Sequence, residues 1–400
     1  MSAVKKAVWF SYGFQFFFGL LLWLPVFYEY QRQIGLSDEQ IFGIQSIYYI
    51  AFCLLEIPTG MVADRFDYRH CLVVGAVVLV GANLVPVFLA DYTGFLVHFL
   101  LIALARSLVS GAASAYLYEY MHAAGEGEHY PQAEGYGRSY SLIGKVVCWP
   151  VVGLLMQWNL PSPYWLSAIN AAIAVGMALL LPAVPGGLTK AQRPPVATAL
   201  RGAFTQLRGS TVLVLLMVQG VAIFTLARIC TVNLFQPILD LKDTPVTMYG
   251  VVMALMTVFE ALGAARPNWL RKRISDLGSV FVLTVVMALA LALTAALGVL
   301  GTVLALCVFS LACGLSFPIQ RALLNQAITD SRYRATLLSI ESIIDRAVCA
   351  LVAVVLGSSL GAGELGGFLL ATAIVTILLM LVVAGLLRLA RRRRGSVTVG

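Results

Sequence analysis

Eight ionisable side chains sit inside long apolar runs of this chain: Glu56, Arg106, Lys145, Arg228, Glu260, Glu341, Asp345 and Arg346. A charge in hydrocarbon is costly, so such residues mark a functional site by default, facing a bundle interior or a water-filled cavity. Glu341 and Asp345 form the most informative pair. Their i, i+4 spacing puts both carboxylates on one helix face. In a low dielectric they repel, and ionising both is unfavourable unless a cation is near. A proton carrier uses that behaviour. A static network with Lys145 or Arg346, or a role in a vestibule, are the alternatives. Arg228 reads as either a contact for an anionic substrate or half of a cross-helix ion pair. Arg106 lies too deep in its run to snorkel and is expected to face a central cavity. Glu56 and Glu260, near the ends of their runs, are expected to pair with loop cations.

A wall around these charges is expected from Gln15, Trp23, Tyr28, Tyr48, Tyr49, Tyr116, Tyr140, Trp149, Asn233 and Gln236, with Arg106, Lys145 and Arg228 as its charged members. Aromatic walls suit bulky, partly apolar ligands, although membrane aromatics also serve as interfacial anchors. Other chemistries find no residues. There is no Walker A loop, and His70, His98, His122 and His129 are scattered with no HExxH pattern. The seven cysteines (Cys53, Cys71, Cys148, Cys230, Cys307, Cys313 and Cys349) contain no CxxC pair and read as small hydrophobes. No metal, no cofactor and no enzymatic activity are expected.

The elements that position these residues are membrane helices. Of the 400 residues, 60% are hydrophobic and only 12% charged, and mean hydropathy is +0.89. A soluble fold of this length needs more charge to cover its surface. About 20 apolar residues cross a bilayer. Runs of that kind lie at 7–29, 40–61, 71–90, 94–118, 136–158, 164–182, 211–237, 246–265, 277–298, 300–320, 335–358 and 365–388. Lys5 and Lys6 precede the first, which is too long for a signal peptide. The twelve runs divide into an N-terminal six-helix bundle (1–182), a linker (183–210) rich in Pro, Gly and basic residues, a C-terminal six-helix bundle (211–390) and a basic tail (391–400).

With the N-terminus placed in the cytoplasm, only Arg32 and Lys242 fall in loops on the far side. The other loop and terminal Lys and Arg gather on the near side, as the positive-inside rule requires. Both termini are then cytoplasmic, in the inner (cytoplasmic) membrane. The net charge of +8, with Arg391–Arg394 as an anchor to anionic lipid, carries no nucleic-acid reading. The halves echo each other at a near-constant offset: Gln15 with Gln219, Glu56 with Glu260, Gly111 with Gly314, and Lys145–Cys148 with Arg346–Cys349. Internal repeats of this kind favour transporters with a site between the repeats.

After the second run the chain reads Glu56-Ile-Pro-Thr-Gly60-Met-Val-Ala-Asp64-Arg65-Phe-Asp67-Tyr68-Arg69-His70. This resembles the loop between helices 2 and 3 of the major facilitator superfamily, roughly G-x-x-x-D-R-x-G-R-R/K. Gly60, Asp64, Arg65 and Arg69 fit, while Asp67, Tyr68 and His70 depart from it. The resemblance implies an all-α fold of twelve transmembrane helices in two pseudo-symmetric bundles, with this loop as a conformational latch. It also implies a proton-relay role for Arg106, although the glycine that follows in the family pattern is here one place late, at Gly111. The helix-5 export pattern is matched by Pro150 and Gly153, with Trp149 in place of a glycine. The resemblance covers essentially the whole chain. It implies a monomeric secondary transporter, similar to bacterial drug/small-molecule:proton antiporters, exporting a small, partly hydrophobic organic compound. The alternative is proton-coupled uptake of an anionic organic solute bound by Arg106, Lys145, Arg228 and Arg346.

Overall fold

The structure is a computed structural model. It describes residues 3–65, 67–184, 196–266, 268–330 and 333–397, with side chains at 3, 57, 61–65, 196, 197, 199, 268, 335 and 391–397 outside the description. Among these residues there is no strand. Twelve helices are long and apolar enough to cross a membrane: α1 Val4–Gln33, α2 Asp38–Gly60, α3 Tyr68–Phe88, α4 Tyr92–Ala123, α5 Gly127–Trp158, α6 Ser162–Leu179, α7 Thr211–Asp240, α8 Val246–Ala265, α9 Asp276–Leu293, α10 Val299–Ala327, α11 Thr336–Gly361 and α12 Leu365–Ala390. Each predicted run lies on one of them. The largest differences are at α4, α5 and α10, which run on through polar residues that hydropathy excludes. Between α6 and α7, where the sequence suggests only a linker, residues Val196–Gly209 form a further helix.

Local chemistry sets the boundaries. Asp67 caps α3 by accepting from the Arg69 amide at 3.0 Å, and Asp91 caps α4 through Gly94 at 2.8 Å. Ser210 and Ser275 do the same for α7 and α9. Each supplies an acceptor to an amide that the first helical turn leaves without one. The turns α1–α2, α4–α5 and α11–α12 each carry a glycine at positive φ (Gly35, Gly125, Gly363). In each, the next residue's amide reaches back five positions, as Leu36 does to Gln31 at 3.1 Å. Only glycine takes that left-handed cap without a steric cost.

The chain divides into two compact units. The first comprises residues 1–192 with 245–254, the second 193–244 with 255–400. In the first, α3 packs on α4 and α6, and α1 on α5 and α6. Its core holds an aromatic nest. Trp23 stacks on Tyr164 at 5.8 Å and meets His98 edge-on at 5.0 Å. Its indole donates to Asn83 Oδ1 at 2.7 Å. In the second unit, α9 packs on α10 and α12, and α7 packs against α10, α11 and α12. That makes α7 the helix through which the second unit's polar groups meet.

Candidate functional site

The site lies within the second unit, where α7, α10 and α11 bring two acids and two arginines together. Glu341 is fully buried and Asp345 nearly so, one helical turn apart on α11. Each carboxylate has its own cation. Arg321 on α10 donates Nη1 to Glu341 Oε2 at 2.6 Å. Arg228 on α7 donates Nη2 and Nε to Asp345 Oδ2 at 2.9 and 3.3 Å. Asp345 Oδ1 accepts from the Thr225 hydroxyl at 3.0 Å. The pairing follows from the physics of burial: a carboxylate taken from water is held by a cation and by hydrogen bonds to its remaining lone pairs. Glu341 is less completely served, because its Oε1 has no hydrogen-bond partner among the described residues.

The surroundings fix this geometry. A Cβ on Gly220 of α7 would fall 2.2 Å from Glu341 Oε1 and 3.0 Å from Gln320 Nε2, so only glycine admits the carboxylate here. The Gln320 amide donates to the Leu216 carbonyl at 2.7 Å. Arg321 lies over the Phe224 and Phe317 rings at 4.6 and 5.6 Å, which orients the guanidinium by cation–π attraction. Directly after Arg228, α7 widens into a π-helical turn, Ile229–Leu234. Such turns are uncommon, occur mostly inside α-helices and often mark functional sites.

This arrangement revises the expected partners. Arg346 is turned to the Ser342 hydroxyl and carbonyl on its own helix, and Lys145 lies over the Trp149 ring at 5.8 Å. Arg321, which hydropathy places beyond the tenth span, is inside α10. Arg228 is the cross-helix pair of the two readings it had.

The other expected residues lie outside this cluster, each within its own unit. Arg106 is exposed on α4 and makes no ion pair among the described residues. Tyr140 is exposed beside Tyr12 (5.5 Å) and Trp9 (6.4 Å). Gln15 is half-buried, with its amide against Gly137, and Tyr48 is half-buried beside Tyr49 and Phe99. The rest sit in helix packing rather than along an accessible wall, because the polar tip of each finds a nearby acceptor or a buried seat. Tyr28 donates to Asp38 at 2.7 Å, Tyr116 to the Pro182 carbonyl at 2.8 Å and Trp149 to the Leu21 carbonyl at 3.1 Å. Trp23, Tyr49, Asn233 and Gln236 are likewise buried.

Of the loop motif, Gly60 lies within the helix Asp38–Arg65, of which α2 is the apolar part, with open space around it. The side chains of Asp64 and Arg65 lie outside the described residues. Arg69 ties the start of α3 to its cap, with Nε on Asp67 Oδ2 at 3.0 Å, and to the end of α6, with Nη1 on the Leu181 carbonyl at 3.0 Å. Outside the spans, Arg271 is held above its ordinary pKa by hydrogen bonds from its guanidinium to Asp276 and stays a fixed cation.

Twelve membrane helices in two units, with a buried acid–arginine cluster on one of them, describe a multi-pass solute carrier. A family model for the Major Facilitator Superfamily matches residues 7–351, and the chain belongs to that superfamily of transporters. No curated protein sequence matches it. Among solved structures, a point mutant of the nucleoside transporter NupG is 16% identical with a TM-score of 0.81, over 96% of this chain and 99% of that one. A POT family transporter in complex with 5-aminolevulinic acid is 13% identical with a TM-score of 0.75, over 97% and 96%. These likenesses establish the fold.

Proposed function

We propose that this transporter exports a small, partly hydrophobic organic compound, of the drug or natural-product class, in exchange for protons. The observation that carries this reading is the buried pair Glu341 and Asp345, one turn apart on α11, each held by its own arginine. Protonating either carboxylate cancels the charge its arginine answers. That loosens α10 from α11 at Glu341, or α7 from α11 at Asp345, beside the π-helical turn. A proton thereby changes which helices are tied, which is the requirement for coupling to a two-state cycle. Glu341 Oε1, a buried acceptor with no partner among the described residues, is where we place the proton.

The balanced charges favour a substrate that need not be anionic, since Arg228 and Arg321 are already engaged. Proton-coupled uptake of an anionic solute is the second reading. It is supported by Arg106, whose exposed charge in mid-span suits water and an anion rather than lipid. The structural neighbours, named for nucleosides and a POT family, support a small organic substrate in either reading. We further propose that the carrier works as a monomer in the inner (cytoplasmic) membrane with both termini cytoplasmic. Gly60, Asp64, Arg65 and Arg69 act as its conformational latch. Reconstitution in vesicles under an imposed pH gradient tests the proposal: extrusion driven by inward protons supports export, and accumulation of an organic anion supports the second reading.

A further inference from the structure

We propose that the groove between α7, α11 and α12 binds one anionic phospholipid, with the helix Val196–Gly209 at its mouth receiving the headgroup. The groove encloses about 680 Å³ and is lined almost wholly by aliphatic side chains, among them Val221, Ile344, Val348 and Val375. Along α11 its lining runs from Ile340 to Val355, about 22 Å at the α-helical rise. That exceeds the half-thickness of a bilayer core of about 30 Å, so an acyl chain lies along it at full length. The rim is exposed and apolar: Leu351 is 70% exposed and Val375 63%.

What distinguishes this groove from lipid-facing surface in general is its mouth. Leu207 of the Val196–Gly209 helix lines one end. One side of that helix is fastened to the protein: Ala203 is buried, Gly202 abuts the Tyr333 ring, and the Gln206 amide donates to the Asp330 carbonyl at 3.2 Å. Next around the helix come Leu200, Phe204 and Leu207, an apolar stripe at i, i+4 and i+7 of which Phe204 is 54% exposed. Beyond the stripe stand Arg201 and Arg208, seven residues apart and therefore on one line. Both are exposed, and neither forms an ion pair or side-chain hydrogen bond among the described residues. An apolar stripe bordered by cations is the pattern of a helix lying in the headgroup region. Two such arginines at the end of an acyl-sized groove recognise a phosphate that carries a chain. Thr225 lines the groove and also donates to Asp345, so the lipid sits one side chain from the acid–arginine cluster.

The test is native mass spectrometry of the full chain, loaded with equimolar phosphatidylglycerol and phosphatidylcholine. The expected result is retention of one phosphatidylglycerol in preference to phosphatidylcholine. R201Q/R208Q should weaken that retention about twenty-five-fold, at about a fivefold loss for each cation near an anionic surface. R201K/R208K, which keeps the charge, should retain the lipid. Filling the groove with A371F, or with V375W if the first does not fold, should remove the lipid with the arginines intact. Equal retention of the two lipids, an unchanged R201Q/R208Q or an unchanged groove-filling variant would each overturn the site. The readout is lipid retention, so failure here is distinct from failure of proton coupling.

Discussion

Replacing Arg321 by glutamine tests the pairing in the second unit most sharply. Glu341 is fully buried, whereas the Arg321 side chain is 32% exposed. Removing one partner of a buried pair costs about 3–5 kcal/mol, because the other charge is stranded. Arg321 is only partly buried, so the low end of that range, about 3 kcal/mol, is expected for R321Q. E341Q should cost less, about 1 kcal/mol. It leaves an arginine that is only partly buried and still lies on Phe224 and Phe317, and it retains a polar side chain beside Gln320. The double variant should lose only about 2 kcal/mol, since no charge is then stranded. The two changes are thus coupled by about 2 kcal/mol, well above the few tenths within which independent sites add. The assay is unfolding by dodecyl sulfate titration in mixed micelles, read by far-UV circular dichroism for all four proteins. Equal losses for the two single variants that simply add in the double would refute the pairing.

Three further outcomes follow from particular atoms. Gly250→Ala would set a Cβ 1.8 Å from the Trp149 carbonyl oxygen; backbone cannot yield cheaply, and about 3 kcal/mol of stability should be lost. Gly43→Ala, with nothing within 4 Å, should instead stabilise α2 by about 0.5–1 kcal/mol, and the same titration reads both. Asp67→Ala removes the α3 cap and the anchor of the Arg69 guanidinium and should cost about 1–2 kcal/mol; retention of wild-type stability would show the cap to be idle. Asp64→Asn should slow substrate counterflow more than it weakens equilibrium binding, because a latch biases the two states without touching ligand. Loss of binding at an unchanged counterflow rate would remove the latch role.

The fold was legible because its signal is long and redundant: each span presents some 20 apolar residues, and misplacing an end by a few does not move the helix. The acids on α11 were legible for a similar reason, since an i, i+4 pair in an apolar run has no routine purpose. Their partners were not. Arg321 follows Gln320 at the point where hydropathy falls, so it reads as the first residue of a loop, whereas α10 continues to Ala327. Thr225 and Gly220 carry no pattern of their own and become visible only when α7 is laid against α11. The packing of the candidate wall residues was hidden for the opposite reason. Trp23, Tyr116 and Trp149 have large apolar bodies that gain most from helix packing, and their polar tips find acceptors there. Hydropathy likewise hides the Val196–Gly209 helix, whose stripe is too short to span a membrane.

The central claim, that the Glu341 and Asp345 pair couples transport to a proton, is tested most directly in proteoliposomes. Ethidium, uridine and benzoate would be supplied as chemically distinct solutes, with and without an imposed pH gradient, for the wild type, E341Q and D345N. The account predicts gradient-driven movement of the hydrophobic solute by the wild type. It predicts loss of that movement against a gradient in at least one of the two variants, with solute exchange at zero gradient retained. Both variants still driving solute uphill under the proton gradient would contradict it.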